Sequence, residues 1–256
     1  MMNYRNIIYS LLISLPFTAH AGVINYEGSS TIGKFLEDAS TVYKASTFKI
    51  NTVPESAGGE QCAMRNTCDL GGVAREVESR FLENGVVATL IAKDAIAALV
   101  HNDNPVQSLT KAQLKDIFTG KIKNWSEVGG EDLPIKPYVV KEASATYSVF
   151  AKAVLDNDPY QNIEVITPDA RMIPAIARER GAIGQLSFSF LVGVKGVKPL
   201  TIDGQAATVE NPQYPISRPL YFTTKGEAQG EVKAFLDWAL SDEGQKIVKQ
   251  RFVGAH

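Results

Sequence analysis

Val23-Ile-Asn-Tyr-Glu-Gly-Ser-Ser-Thr-Ile-Gly-Lys-Phe-Leu-Glu-Asp-Ala-Ser-Thr-Val-Tyr43 is the stretch from which the fold is read. Val23 to Tyr26 is a short strand, Gly28-Ser29-Ser30-Thr31 is a small polar turn, and Ile32, Phe35, Leu36, Ala39 and Tyr43 recur at helical spacing. The succession returns twice. Phe48 to Val53 leads into Glu55-Ser56-Ala57-Gly58-Gly59, and Ile135 to Val140 leads into Ser144-Ala145-Thr146, with Tyr147, Phe150, Ala151 and Val154 forming the next helical stripe. Ala95 to Val100 is an apolar run suited to a buried strand, and Thr110-Lys-Ala-Gln113 is a capping box opening a helix that ends near Gly120. Glu231 to Arg251 reads as one helix, with Val232, Phe235, Leu236, Ala239 and Leu240 on its apolar side. Strand and helix alternate throughout, which predicts an α/β protein with largely parallel sheets.

The chain has 256 residues, 45% of them hydrophobic and 21% charged, a composition that supports an ordinary core and excludes disorder, collagen-like repeats and coiled coil. Met1 to Ala21 has a basic start at Arg5, an apolar run from Ile7 to Phe17 and an Ala19-His-Ala21 ending, the three parts of a secretory leader cleaved after Ala21. That run is short for a membrane span, and no later stretch approaches about 20 apolar residues, so export without membrane insertion is expected. Removing the leader takes Arg5 alone, leaving 25 basic against 28 acidic residues. No general basic field is available to hold nucleic acid, so any anion must be held by a local site.

Export to the periplasm or beyond makes the two cysteines interpretable. Cys62 and Cys68 are the only cysteines in a chain that meets an oxidising compartment, and a disulfide is favoured over a zinc site, which needs two more ligands where the mature chain keeps only the histidines His101 and His256. No metal and no cofactor is expected. Ser-His-Asp chemistry needs a histidine within reach of a serine, yet His101 closes an apolar run and His256 ends the chain. Glu55 with Glu60, and Asp69 with Glu142, have no spacing that sets them apart from surface charge, so an enzyme is not expected. Trp125 and Trp238 fall in patterned apolar segments and are read as core.

The serine-bearing helix starts carry the functional reading. A helix N-terminus presents up to about four unpaired N–H groups and about half a positive charge, so three starts around one cleft supply about +1.5. A phosphate-like dianion carries about −1.5 to −2, and a basic side chain, Lys141 or Arg75, would make up the difference. One such junction alone is more often an ordinary N-cap, and both basic residues alone read as solvated surface charges. An acidic side chain lodged between the three starts would oppose an anionic guest.

Leu109-Thr-Lys-Ala-Gln-Leu-Lys-Asp-Ile-Phe-Thr-Gly120, Lys121-Ile-Lys-Asn-Trp125, Glu127-Val-Gly-Gly130, Asp69-Leu-Gly71, Gly181-Ala-Ile-Gly184, Tyr214-Pro-Ile-Ser-Arg-Pro-Leu-Tyr221 and Leu240-Ser-Asp-Glu-Gly-Gln245 follow one another in an order that resembles the periplasmic phosphate-binding proteins of bacterial ABC importers. The resemblance covers essentially the whole mature chain. It implies a type 2 binding-protein fold, with residues 22–100 and 193–256 in one lobe, 101–192 in the other and two crossing strands at the hinge. It also implies a monomer that holds phosphate or a related tetrahedral oxyanion for an ABC permease. The ligand-binding set it implies is Ser29, Ser30, Thr31, Ser56, Asp69, Arg75, Lys141, Ser144, Ala145 and Thr146. The chain departs from the family at Lys141 and Ala145, where the pattern has arginine and glycine, and at Ala74, where it commonly has a ligand-facing Ser or Asp. Lysine is a point charge without the two-pronged grip of a guanidinium, and alanine reaches a positive φ only at a cost. These departures keep an alternative open, a secreted interaction or sensor protein that retains the fold with altered or lost phosphate binding.

Overall fold

The computed structural model describes residues 22–255, so the leader expected at 1–21 and the terminal His256 lie outside the described residues. In chain order the elements begin β1 (Gly22–Gly28), α1 (Ser30–Val42), β2 (Ser46–Asn51), α2 (Glu55–Arg65), β3 (Leu70–Val73), α3 (Ser79–Glu83) and β4 (Val86–His101). They continue with β5 (Ser108–Leu109), α4 (Lys111–Phe118), β6 (Lys136–Val140), α5 (Ala145–Leu155), β7 (Glu164–Ile166), α6 (Met172–Ile176) and β8 (Ala182–Ser187). The chain closes with β9 (Val197–Pro199), β10 (Thr201–Ile202), β11 (Ser217–Lys225), α7 (Gly230–Leu240), α8 (Asp242–Val248) and β12 (Val253–Gly254).

The mixed α/β fold is organised by β4. Its first part, Val86 to Ala95, pairs antiparallel with β11, and its second part, Ile96 to Val100, pairs antiparallel with β8. The strand order is therefore β2-β1-β3-β11-β4-β8-β6-β7. The two outer trios are built as the sequence predicts: β2, β1 and β3 are mutually parallel, as are β8, β6 and β7. Antiparallel pairing is confined to β4 and its partners, β11 above all, which also pairs antiparallel with β3.

The two larger cores lie on the two halves of this sheet, beside a small third cluster of Ala63, Val73, Val77, Phe81 and Val86. One gathers Tyr26, Phe35, Phe222 and Phe235 with Ile24, Ile32 and Leu36, and the other gathers Trp125, Phe118 and Phe150 with Leu99, Val139 and Leu186. Burying each of these rings stabilises by about 1.5–3 kcal/mol. Trp125 sits in the second core, and Trp238 packs at the edge of the first, its ring stacked 6.4 Å from Phe35.

Leu200, Ile202, Ala207, Tyr214 and Ile216 belong to the second core, and β9 pairs with Leu99 to His101 of β4. We therefore place the return crossing between lobes at Ser217, where β11 opens opposite Ala95, rather than at residue 193. On the same ground we place the outward crossing at Ala95 and Ile96, where β4 changes partner, rather than after residue 100. The apolar run from Ala95 to Val100 is the second half of one long strand.

Local chemistry accounts for the helix boundaries. Thr110 and Gln113 form the expected capping box of α4. Residues 231–251 form two helices instead of one, because the Ser241 hydroxyl accepts from the Gly244 amide and restarts the chain as α8. A Cβ at Gly59 of α2 would lie 2.3 Å from the Gly72 carbonyl oxygen, and one at Gly28 would lie 2.4 Å from the same atom. Glycine at these positions lets α2 and the end of β1 lie directly on β3, which draws the first two helix starts together.

Cys62 and Cys68 are disulfide-bonded, their Cα atoms 5.4 Å apart, and the bridge ties the C-terminal end of α2 to the entry of β3. For a loop this short the chain-entropy model attributes about 2 kcal/mol to the bond. A Cys62→Ser/Cys68→Ser variant is expected to melt about 4–8 °C below the parent in calorimetry, with the fold retained.

Candidate functional site

The site forms where β4 and β11 cross. Asp94 and Arg218 are cross-strand partners in the antiparallel ladder, and their side chains are 0% and 1% exposed. Arg218 donates from Nε to Asp94 Oδ2 at 2.9 Å, from Nη1 to Thr146 Oγ1 at 3.0 Å and from Nη2 to Thr31 Oγ1 at 2.9 Å. Ser187 Oγ donates to the other Asp94 oxygen at 2.8 Å. One guanidinium thus joins the start of α1 to the start of α5. Each threonine hydroxyl accepts from it and keeps its own O–H free to donate. Burial pushes the Asp94 carboxyl up, while Arg218 and the Ser187 hydroxyl oppose that rise. Arg218 also lines an open groove of about 670 Å³ shared with Arg75, Lys152, Ser217 and Pro219.

The helix starts are built differently. Ser29 is the N-cap of α1, its Oγ accepting from the Ile32 amide at 3.5 Å, and Ser144 is the N-cap of α5, its Oγ accepting from the Thr146 amide at 3.4 Å. Ala145 is buried as the first residue of α5. The second start carries no serine cap: Pro54 precedes α2, and the Ser56 hydroxyl accepts from the Ala74 amide at 3.1 Å. Lys141 reaches across and donates to the Val53 carbonyl at 2.5 Å.

Two carboxylates stand among these groups. Glu55 is buried, has a positive φ of 56°, and its Oε2 accepts from the Ser30 amide at 3.0 Å and the Ser30 hydroxyl at 3.1 Å. Asp169 is 1% exposed, accepts from Ser144 Oγ at 2.7 Å through Oδ2, and has no hydrogen-bond partner for Oδ1 among the described residues. Burial, reinforced by the Asp169 charge, pushes Glu55 up to about 7, against the Ser30 hydrogen bonds and the Lys141 charge. Asp169 is also raised by burial, opposed by Ser144, Arg218 and Lys141. The acidic side chain that would oppose an anionic guest is thus Glu55, seated on the α1 donors.

Ser29, Ser30, Thr31, Ser56, Lys141, Ser144, Ala145 and Thr146 are brought together here, whereas Asp69 and Arg75 are not. Asp69 lies exposed at the far end of β3, where it accepts from the Asn25 amide at 2.8 Å and from Asn25 Nδ2 at 2.6 Å. Arg75 is spent on Glu60, at 2.6 and 2.7 Å, and on Glu78, at 3.2 Å. Glu55 and Glu60, read from sequence as surface charges, are both buried. The disulfide sits at the opposite end of α2 from Glu55. Arg218 and Asp94 were missed as site residues: Asp94 stands beside Lys93 in a mainly apolar strand and Arg218 follows Ser217 at the start of another, and neither setting marks a buried pair. Asp169 follows Thr167-Pro168 and gives no signal either.

A model of the PBP superfamily domain matches residues 17–243. The phosphate-binding protein PstS of Bacillus subtilis is 41% identical over 163 residues, covering 62% of this chain and 53% of that protein, so the match spans about half of the relative's length. Protein SphX of Synechococcus elongatus is 26% identical over 264 residues, covering 92% and 78%. A crystal structure of a phosphate ABC transporter substrate-binding protein with bound phosphate, from Clostridium perfringens, superposes with a TM-score of 0.84 at 32% identity, covering 91% of this chain and all of that one. An ABC-type phosphate transport receptor from Vibrio cholerae shares the fold, with a TM-score of 0.71 at 22% identity over 89% of this chain and 98% of that one.

Removing one partner of a buried pair leaves the other uncompensated, so Arg218→Met is expected to cost about 3–5 kcal/mol in urea unfolding at neutral pH. Adding Asp94→Leu should restore most of that loss. The Glu55 carboxyl holds a proton in the folded chain at pH values where the unfolded chain has released it, so its contribution falls as pH rises from about 4.5 to about 7 and is flat above. Relative to Glu55→Gln, the parent should therefore lose roughly 2 kcal/mol of stability between about pH 5 and about pH 8.

Proposed function

The chain belongs to the PBP superfamily, and on that footing we propose that it is an extracytoplasmic solute-binding protein that holds phosphate or a related tetrahedral oxyanion between two lobes for ABC-type import. The observation that carries the reading is the Arg218 guanidinium joining Thr31 and Thr146 at the starts of α1 and α5. A tetrahedral oxyanion seated there would take the amides and hydroxyls of Ser30 and Thr31, the Ala145 amide and the Thr146 hydroxyl, with Lys141 supplying charge at the rim. Ser29 and Ser144 act as the caps that aim these amides, and Ser56 acts by fixing α2 against β3. Such a site binds and releases its guest without bond making. No helix among the described residues is long and apolar enough to cross a membrane, in keeping with a protein that meets its permease from outside the bilayer.

A second reading is favoured by one observation, the seat of Glu55 on Ser30. It casts the chain as a secreted sensor or interaction protein that keeps the fold with altered or lost phosphate binding.

Isothermal titration of the mature chain with phosphate, arsenate and sulfate tests the choice. Saturable binding of phosphate or arsenate, weakened at least tenfold in Thr146→Val, is the expected result. No heat with any of the three would remove the transport reading and leave the second.

A further inference from the structure

The charges around the cleft do not suit an incoming dianion as they stand. Arg218 is matched by Asp94, so its formal charge is already balanced. Lys141 is the remaining cation, and it faces two carboxylates, Glu55 and Asp169. The Ser30 amide and hydroxyl, the donors at the start of α1 nearest to the cleft, already have an acceptor in Glu55 Oε2. Within the described residues, then, one side chain of the protein occupies the place that the proposed reading gives to the ligand.

Glu55 holds that place at a cost. It is a non-glycine residue in the left-handed region, its carboxyl is buried, and a second carboxylate faces it. The groups around it are Ser30 on α1, Tyr26 on β1, Lys141 after β6 and Asp169 before α6, with Arg218 on β11 acting on Asp169. Tyr26 is itself pushed up by burial and by the Glu55 charge, and its hydroxyl donates to the Ser29 carbonyl. Among the described residues Lys141 is thus the single cation that offsets Glu55 directly, and it is shared with Asp169. Asp169 Oδ1 is buried without a hydrogen-bond partner among the described residues, which adds to the cost of charge in this cluster.

We propose that Glu55 is an internal competitor for the oxyanion, which gains the Ser30 donors only when the Glu55 carboxylate takes a proton from solvent and leaves them. The proposal rests on the oxyanion reading above and names the residue that sets affinity within it. Protonation removes one negative charge from the cleft and turns Glu55 from an acceptor competing with the ligand into an O–H donor able to face it. Capture is then tighter in acid and looser in base, and the proton taken up on binding is released with the ligand. The rise of Glu55 to about 7 puts this exchange near neutral pH.

The test is titration of the mature chain with inorganic phosphate at about pH 6 and pH 8, in the parent, Glu55→Gln and Glu55→Gly, each in buffers of different ionisation enthalpy so that proton uptake is read directly. Glutamine keeps the side chain's size without its charge, and glycine accepts the positive φ without strain, so at least one folded variant is secured. Both variants are expected to bind phosphate at least tenfold more tightly than the parent at pH 8, with the gap closing to within about threefold at pH 6. The parent should take up close to one proton more per phosphate at pH 8 than Glu55→Gln, a difference from which phosphate's own titration cancels. Equal or weaker binding by the variants at pH 8, or equal proton uptake, overturns the role of Glu55 while leaving the oxyanion reading intact. Failure of all three proteins to bind phosphate at either pH overturns both.

Discussion

The ion pair between Asp94 and Arg218 is the constraint around which the rest is arranged. Taking two charges out of water is expensive, and a buried pair is weak evidence of stability in itself. What this pair does is geometric. Because the two residues are opposite one another on the strands that pass between the lobes, Asp94 fixes one edge of the guanidinium and turns the other edge outward. That free edge meets Thr31 from the first lobe and Thr146 from the second. A lysine could not do this, since an ammonium group has no planar fork to divide between two lobes and a carboxylate.

The close packing of α2 acts in concert with that pair. Gly59 and Gly28 lie against the Gly72 carbonyl, so α2 begins close to the start of α1. A residue at the first position of α2 is then within reach of Ser30, and in this chain it is glutamate. The raised affinity of Glu55 for a proton follows from that placement, since helix packing buries its carboxyl and the second lobe brings Asp169 toward it.

Much of this was legible in the sequence. The three strand, turn and helix units show because apolar spacing changes period at small polar residues, and the capping box at Thr110 shows because it is local. Less visible were features decided by distant parts of the chain. Residues 197–216 carry no mark of the lobe they join, since this is settled by pairing with the far end of β4. Arg75 looked free because its partner Glu60 lies on another element, and Glu55 looked exposed because nothing in Pro-Glu-Ser reports a neighbouring helix start. Arg218 was in view within a family-like motif, yet its role depends on Asp94, 124 positions away.

The sixteen-residue strand β4 gives hydrogen-bond partners to both halves of the sheet, with one register shift in its ladder to β11, between Leu220 and Tyr221. One half, residues 22–95 with 217–255, is therefore split in the gene around the other, 96–216, and each lends the other an edge that would otherwise be open to the wrong neighbour. Genetic exchange that imported a single lobe would have to splice at two distant places at once and keep the ladder in register at both. Such a molecule is expected to diversify by point changes around its cleft rather than by trading lobes.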